Sequence, residues 1–234
     1  MRINKYISET GFCSRRATNR LIEEKRITVN GEVCEPGTII RPGDVVLIDG
    51  LVIPEKAEAV YIVLHKPVGI TCTAARTVDG NIIDFMNYPS RIFPIGRLDK
   101  DSQGLILMTN DGEIVNKMMR SEFGHEKEYV VTVDHMITDD FIKRMSGGIE
   151  ILGTTTKPCK VSRISDYEFR IILTQGLNRQ IRRMAKECGY RVTRLERTRI
   201  MNVTMDGLAM GKWRELTKIE LEIMLDQLAE PALM

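Results

Sequence analysis

The sequence predicts an α+β fold in which a small basic module precedes a larger domain of mostly antiparallel strands. Two observations support this prediction. Helical patterns dominate the first 25 residues, whereas short apolar runs separated by turn residues dominate the chain beyond residue 60. A charged segment separates the two parts. We therefore expect a first domain at residues 1–50, a linker at 51–59 and a second domain at 60–230.

The composition indicates a globular protein, with 43% hydrophobic and 28% charged residues. The five cysteines are widely scattered and never spaced as C-x-x-C, and the three histidines lack metal-ligand spacing. Neither disulfides nor a metal site is therefore expected. No stretch approaches the length that spans a bilayer, and the N-terminus has no apolar signal region. These features favour a cytoplasmic protein without membrane contact.

The first domain is predicted to contain two short helices and a small sheet. One helix closes at Gly11, Ser14 caps a second helix over residues 15–25, and Asn30-Gly31 forms a hairpin turn. A unit of about 50 residues is near the lower size limit for an independent core. Such a unit is more typical of a binding module than of an enzyme.

Positive charge is concentrated in two segments, although the formal net charge is only +2. Residues 1–41 contain eight Lys and Arg against five acids, and residues 175–200 contain eight against two. Two basic patches on a near-neutral chain indicate contact with a polyanion at two places. For the first segment alone, a well-solvated helix explains the charge equally well.

Two carboxylates, Asp99 and Asp101, lie in a polar loop between strands predicted at residues 91–95 and 105–109. A glycine stands at each end of this loop, at positions 96 and 104. Such a loop can hold one carboxylate fixed in a cleft. For an isolated loop of this composition, a solvated turn whose Asp side chains cap the backbone is the commoner case.

Several further elements are predicted in the second domain. Tyr129 begins one strand, where its ring can pack on core neighbours or stack on a base; packing is the commoner case for a lone tyrosine. Lys66 follows another strand and is interpreted either as a phosphate contact or as a solvated lysine. The predicted strands lie at 60–64, 130–133 and 168–173, and the predicted helices at 82–86, 113–120 and 138–145.

A basic amphipathic helix is predicted between Asn178, as its N-cap, and Gly189. Clustered cations on one helix face repel each other unless an anion lies nearby, either an RNA phosphate or a buried carboxylate. The apolar face contains Ile181, Met184, Ala185 and Cys188. The basic face contains Arg179, Arg182, Arg183 and Lys186. Beyond the helix, the basic surface is expected to continue through Arg191, Arg194, Arg197 and Arg199.

Three motifs behind the N-terminal module resemble the RsuA/RluB/RluF group of bacterial pseudouridine synthases. They are GRLD at residues 96–99, KEY at 127–129 and NRQIRRM at 178–184. The module itself, with CSRRA at residues 13–17, resembles the alpha-L RNA-binding domain. The resemblance covers nearly the whole chain, and residues 93–104 and 195–203 look most like the RluF branch.

The resemblance implies an isomerase that converts uridine to pseudouridine on a long mixed sheet, with the cleft across its middle. It implies that Asp99 is the nucleophile, that Arg182 pairs with Asp99 and that Tyr129 stacks on the uracil and takes a proton. The reaction needs no redox step, hydrolysis or energy input, so no cofactor is expected. The sequence accordingly contains no P-loop or dinucleotide fingerprint.

The implied substrate is a uridine of large-subunit (23S) ribosomal RNA near the peptidyl-transferase centre, with a transfer RNA anticodon uridine as a second target. The expected partner is therefore ribosomal RNA or a pre-ribosomal particle, bound by a monomer. The target base must be flipped out, and Arg97 is expected to fill its place. The other expected RNA-binding residues are Lys5, Arg15, Arg16, Arg20, Arg179 and Arg183.

Two alternatives remain open on the residues alone. The same two basic patches would serve a non-catalytic RNA-binding or ribosome-assembly factor, in which Asp99 is dispensable. A glycoside hydrolase that uses Asp99 and Asp101 as its carboxylate pair is the weaker alternative, because a sugar polymer has no use for the basic surfaces.

Overall fold

The computed structural model divides the chain into two compact units. It describes residues 1–75, 77–119 and 124–229. The first unit contains residues 1–60 together with 88–92 and 110–112, and the second contains the rest of the described chain. Within the described ranges, no helix combines the length and the apolar character that a membrane crossing requires.

Two helices and a four-stranded sheet form the first unit. The elements are α1 (Ile3–Glu9), α2 (Arg15–Glu23), β1 (Ile27–Val29), β2 (Glu32–Val33), β3 (Val46–Ile48) and β4 (Leu51–Val52). The predicted N-cap is confirmed, because the Ser14 hydroxyl accepts a hydrogen bond from the Ala17 amide at 3.1 Å. Asn30 and Gly31 have φ values of 52° and 88°, the backbone of the predicted hairpin turn. Buried isoleucines from both helices and the sheet form the core.

The sheet of the first unit extends beyond the predicted domain end at residue 50. β4 pairs antiparallel with β3, so the strand order is β2-β1-β3-β4. Asp49 and Gly50 both have positive φ and form the turn between these strands, which is the Asp-Gly signal of a two-residue hairpin. The next apolar residue, Ile53, is buried in the core. The segment predicted as a linker at 51–59 therefore begins with structured residues.

The second unit contains eleven strands and the remaining five helices in its described part. The strands are β5 (Tyr61–Lys66), β6 (Phe93–Ile95), β7 (Gln103–Thr109), β8 (Lys127–Val133), β9 (Glu150–Ile151), β10 (Thr154–Thr155), β11 (Lys160–Arg163), β12 (Glu168–Leu173), β13 (Val192–Ile200), β14 (Val203–Thr204) and β15 (Trp213–Glu215). The helices are α3 (Ile82–Met86), α4 (Gly112–Met119), α5 (Asp139–Gly147), α6 (Gln180–Glu187) and α7 (Lys218–Ala229).

Nine of the described strands form one mixed sheet, which confirms the predicted α+β class. The main path is β11-β12-β8-β13-β7-β5-β15, with β14 beside β13 and β6 beside β7. β7 and β13 are parallel, whereas the other ladders described in this sheet are antiparallel. The parallel pair lies near the middle of the sheet. The loop that contains Asp99 leads directly into it.

Helix packing buries the strand that follows the Asp99 loop. All seven residues of β7 are buried. Leu105 and Leu107 on this strand share one apolar cluster with Ile114 and Met118 of α4 and with Met224 of α7. Because burial of such side chains contributes roughly 1.5–3 kcal/mol each, the C-terminal end of the loop is attached to a rigid element.

Several predicted helix boundaries differ from the structure. The helix predicted at 15–25 ends at Glu23, and the helix predicted at 138–145 extends from Asp139 to Gly147. α6 begins at Gln180, and its N-cap residue is Arg179, with left-handed backbone angles (φ 51°, ψ 36°), rather than Asn178. The predicted helix at 113–120 is α4, which ends at Met119; its predicted last residue lies outside the described residues. At α5 the predicted cap is confirmed, because Thr138 accepts a hydrogen bond from the Phe141 amide at 3.1 Å.

Substitution of Gly104 by alanine is expected to destabilise the second unit. Gly104 has φ +111°, and an added Cβ would lie 2.5 Å from the Arg197 backbone nitrogen and closer still to its carbonyl oxygen. We expect the free energy of unfolding to fall by about 3 kcal/mol or more, from backbone strain and overpacking together. Urea unfolding followed by circular dichroism measures the change.

The matched control for this substitution is Gly153→Ala. Gly153 also has positive φ (+71°), but open space surrounds its Cβ position. Equal destabilisation by the two alanines would contradict the close-approach explanation, because backbone strain would then account for the whole effect.

Candidate active site

A cavity of about 430 Å³ opens in the second unit beside the loop between β6 and β7. Its lining brings together Asp99, Tyr129 and Arg182, the three residues for which catalytic roles were expected. Arg97 and Arg179, two of the expected RNA-binding residues, also line it. A cavity of this size accommodates a small ligand such as a nucleoside.

The Asp99 loop is held by a buried lysine. Lys66 ends β5 and is fully buried. Its ammonium group donates hydrogen bonds to three backbone carbonyls, those of Pro67 at 2.9 Å, Asp99 at 3.2 Å and Ser102 at 2.7 Å. Two of these carbonyls belong to the loop itself. Lys66 therefore fixes the backbone on both sides of Asp101.

Neither interpretation offered for Lys66 on the sequence was correct. A fully buried ammonium group cannot contact an RNA phosphate and is not solvated. Burial lowers the pKa of Lys66 and the charge of Arg197 adds to that shift, whereas the charges of Asp101 and Asp99 oppose it. Because three acceptors converge on it, the group is satisfied in the way that a buried cation requires.

Arg182 holds the same loop from the opposite side. One of its terminal nitrogens, Nη2, donates to the Asp101 carbonyl at 2.9 Å and to the Ser102 hydroxyl at 3.1 Å. The other, Nη1, donates to the Val192 carbonyl at 3.2 Å. The guanidinium group thus connects α6 and β13 to the loop. Its Nε lies 3.5 Å from an oxygen of the Asp101 carboxylate, too poorly aligned for a hydrogen bond.

The pairing expected between Arg182 and Asp99 is not the one in the structure. Arg179 is the residue that approaches the Asp99 carboxylate, at 3.6 Å between Nη1 and Oδ2. Arg179 is the N-cap residue of α6, and its bidentate pair with Asp101 holds its guanidinium group at the loop. Arg182, one turn into the helix, instead reaches the loop backbone.

Asp101 serves to orient Arg179. The two side chains form a bidentate pair, with both N···O distances at 2.9 Å. The hydrogen bonds from Arg179 lower the pKa of Asp101, and the charge of Arg182 adds to the effect. An acid held ionised in this way is a poor proton donor, so the arrangement does not support a glycosidase pair formed by Asp99 and Asp101.

Tyr129 lies on the sheet face that lines the cavity. It belongs to β8 and is paired directly with Arg197 of β13. Side chains at such paired positions are neighbours on one face of a sheet, as are residues two apart on one strand. Lys127 therefore lies on the same face as Tyr129, and both Lys127 and Arg197 line the cavity.

Sequence reasoning missed both of these cations. Arg197 was assigned to the basic surface, but it is only 3% exposed, because it lies in a central strand beside the buried β7. The alternation along β13 could have shown this, since Leu195 and Arg197 lie two residues apart and both are buried. The KEY spacing of Lys127 and Tyr129 contained the equivalent signal for β8. Arg199 was also assigned to the surface, but it is paired with Glu126 at 2.8 Å.

The remaining residues expected to bind RNA lie outside the cavity lining. Arg183 is next to the site, but its side chain donates to the Asn178 carbonyl at 3.0 Å. In the first unit, Lys5 is paired with Glu9 at 3.6 Å. The three arginines of α2 are exposed and make no ion pair with any described residue: Arg15, Arg16 and Arg20.

Comparison with known proteins covers both units. The family model of RNA pseudouridylate synthases matches residues 60–187, and the S4 domain model matches residues 1–46. The dual-specificity RNA pseudouridine synthase RluF of Escherichia coli K12 is 55% identical over 223 residues, which cover 94% of this chain and 77% of that protein. Ribosomal large subunit pseudouridine synthase B of Bacillus subtilis is 35% identical over 230 residues, 94% of each chain.

A solved structure supports the same relationship. A crystal structure of a pseudouridylate synthase matches with a TM-score of 0.70 and 28% identity, covering 96% of this chain and 99% of that one. The similarity thus extends over both units. It confirms the fold class predicted from the sequence, an alpha-L type domain followed by a catalytic domain with a mixed sheet.

Replacement of Lys66 by methionine is expected to destabilise the protein. Methionine fills a similar volume but removes the donor from the buried Ser102 carbonyl and from the partly buried Pro67 carbonyl, at a cost of about 2–4 kcal/mol in the free energy of unfolding. Urea unfolding monitors this loss. The control is Lys143→Met at an exposed position of α5. If both variants were as stable as the wild type, Lys66 would not be the anchor of the loop.

Proposed function

Because this chain belongs to the RNA pseudouridine synthase family, we propose that it isomerises a specific uridine of large-subunit ribosomal RNA near the peptidyl-transferase centre. The E. coli relative is named a dual-specificity enzyme, which supports proposing a transfer RNA anticodon uridine as a second target. We propose that the enzyme works as a monomer in the cytoplasm, where its RNA partner is found. One observation carries the proposal: the cavity combines an arginine-paired carboxylate, Asp99, with Tyr129.

The reaction requires a nucleophile that is held in place and protected from competing water. The bond between ribose carbon 1′ and uracil nitrogen 1 breaks, the base turns, and carbon 5 forms the new bond. In the proposed mechanism Asp99 is the nucleophile and bonds to carbon 1′ or to the uracil ring; that bond breaks again before the product leaves, which regenerates the free carboxylate. Its side chain is 35% exposed at the cavity, so it is accessible to a nucleoside.

Arg179 and the loop anchors position Asp99. The Arg179 guanidinium group lies 3.6 Å from the Asp99 carboxylate and is oriented by its bidentate pair with Asp101. Lys66 and Arg182 bind the backbone of the loop and leave the Asp99 oxygens available. A nucleophile fixed through its backbone needs little reorganisation to react.

Tyr129 is proposed to stack on the uracil ring and to take the proton from carbon 5 in the last step. Its phenol makes no hydrogen bond with any described residue, so it is available for that transfer. The proton lost from carbon 5 is balanced by the proton gained at nitrogen 1, so the reaction is a net isomerisation.

RNA binding is proposed to use both units. Arg97 is exposed at the cavity and is suited to take the place of the flipped base. The exposed arginines of α2 provide phosphate contacts, as a basic helix without internal ion pairs can do.

The nucleophile assignment is tested by Asp99→Asn. We expect loss of isomerisation by a factor of roughly 10⁴ or more, because the amide is not a nucleophile, with RNA affinity within about threefold of wild type. Release of tritium from carbon 5 of labelled uridine in RNA measures the reaction, and filter binding measures affinity. Asp101→Asn is the matched control and should retain more activity, because it weakens contacts with Arg179 and Arg182 but leaves the nucleophile in place. Full activity of Asp99→Asn would refute the assignment.

Triple substitution of Arg15, Arg16 and Arg20 by glutamine tests the proposed role of α2. If each arginine neutralises one phosphate, the slope of log affinity against log salt should fall by about 2. The matched control is Arg26→Gln, since Arg26 is already paired with Asp49 at 2.6 Å. An unchanged slope in the triple variant would show that this helix does not contact the RNA backbone.

A further inference from the structure

Arg197 presents a buried hydrogen-bond donor that has no acceptor. Its Nε donates to the Leu105 carbonyl at 2.7 Å, but its Nη2 has no hydrogen-bond partner among the described residues. An unsatisfied buried donor costs about 1–3 kcal/mol, and more when the group is charged. Because native proteins seldom retain such a group without a functional reason, the Nη2 of Arg197 is a candidate for ligand contact.

Lys127 is a second cation on the same wall of the cavity. Both cations are neighbours of Tyr129. Lys127 is two residues before Tyr129 on β8, and Arg197 is opposite Tyr129 on β13. The Lys127 side chain makes no hydrogen bond or ion pair with any described residue. Burial, together with the charge of Arg197, lowers the pKa of Lys127 to about 8.

The charges around this wall favour an anionic ligand. Asp99 is the one carboxylate among the described lining residues, and it already lies beside Arg179. His125 is a further titratable neighbour, and burial together with the charge of Lys127 lowers its pKa. The described cations of the lining are Arg97, Lys127, Arg179, Arg182 and Arg197.

We propose that Lys127 and Arg197 bind a carbonyl oxygen of the flipped uracil and stabilise the negative charge that the ring acquires during the reaction. This inference rests on the proposed function. It assigns a catalytic role to two side chains that take no part in holding the Asp99 loop.

The chemistry of the step produces that charge. When the bond between carbon 1′ and nitrogen 1 breaks, its electron pair stays with the ring and spreads from nitrogen 1 onto the two carbonyl oxygens. If Asp99 instead adds to the ring first, the pair displaced from the double bond resides on a carbonyl oxygen. In both cases a fixed cation stabilises the charged species more than the neutral base, which lowers the barrier. The charge disappears when carbon 5 bonds to carbon 1′ and its proton is transferred.

The position of these cations favours a base oxygen over an RNA phosphate. A ring stacked on Tyr129 has its edges beside the neighbouring side chains of the same sheet face, about 5 Å away. Arg197 is almost completely buried in that sheet. A backbone phosphate remains outside with the RNA chain, where exposed arginines such as Arg97 are available.

Lys127→Met and Lys127→Arg in the full chain test the proposal. The substrate is a large-subunit ribosomal RNA transcript carrying tritium on carbon 5 of its uracils, and tritium release in single turnover gives the rate at saturating enzyme. At pH 7 we expect Lys127→Met to be slowed by about 100-fold, with RNA affinity within about threefold of wild type. Lys127→Arg should keep most of the rate, because it keeps the charge. Lys143→Met is the matched control at an exposed lysine.

The pH dependence adds a readout that a purely structural role would not change. The wild-type rate should fall as pH rises through about 8, because Lys127 then loses its proton and its charge. In Lys127→Arg this decline should disappear, since arginine remains protonated. Arg197→Lys should also slow the reaction. Because Arg197 also donates a hydrogen bond within the sheet, a slower rate in that variant could be structural, so the Lys127 variants provide the test.

Several results would overturn the inference. If the wild type is active and Lys127→Met is equally active, the role of Lys127 is refuted, but the proposed function is not. A variant that lost RNA affinity but kept its saturated rate would indicate a phosphate contact instead. A wild-type rate that rose through pH 8 would identify Lys127 as a neutral base. If the wild type released no tritium at all, the proposed function and this site would fall together.

Discussion

The active-site loop depends on one buried ammonium group. The three carbonyls around Lys66 come from two segments of the chain and all accept hydrogen bonds from its ammonium group. The cost of burying the charge is offset by these hydrogen bonds. The result is a loop of defined backbone in which the Asp99 carboxylate itself is not consumed in structural contacts.

The arginines of the basic segment at residues 175–200 make different kinds of contact, although the sequence shows them as one cluster of positive charge. Arg182 donates hydrogen bonds to the loop backbone, and Arg179 pairs with carboxylates. Arg197 lies inside the sheet, where its Nη2 has no hydrogen-bond partner among the described residues. Most of the positive charge near α6 is therefore balanced within the protein or directed into the cavity. The surface left for the RNA backbone is smaller than composition indicates.

Local features of the fold could be predicted from sequence, whereas the pairing of charges could not. The Ser14 and Thr138 caps and the Asn30-Gly31 turn depend on neighbouring residues, and the structure confirms them. The family motifs identified the cavity residues. The predicted partner of Asp99 was wrong because Arg179 and Arg182 belong to one motif, and only the tertiary structure determines which guanidinium group lies beside the carboxylate. Lys66 was missed because a buried and a solvated lysine look identical in a sequence.

The parallel pairing of β7 with β13 also bears on how the site comes into existence. Arg197 and Leu105 are 92 positions apart in the chain, yet one hydrogen bond joins them inside the sheet. Closing so long a segment costs conformational entropy before the strand contacts can stabilise it. Such pairing therefore forms slowly compared with the neighbouring hairpins. Because the cavity lies across this junction, its two walls meet only when the halves of the sheet have joined. A chain that has folded hairpins in both halves but has not yet joined them therefore has no binding place for a nucleoside.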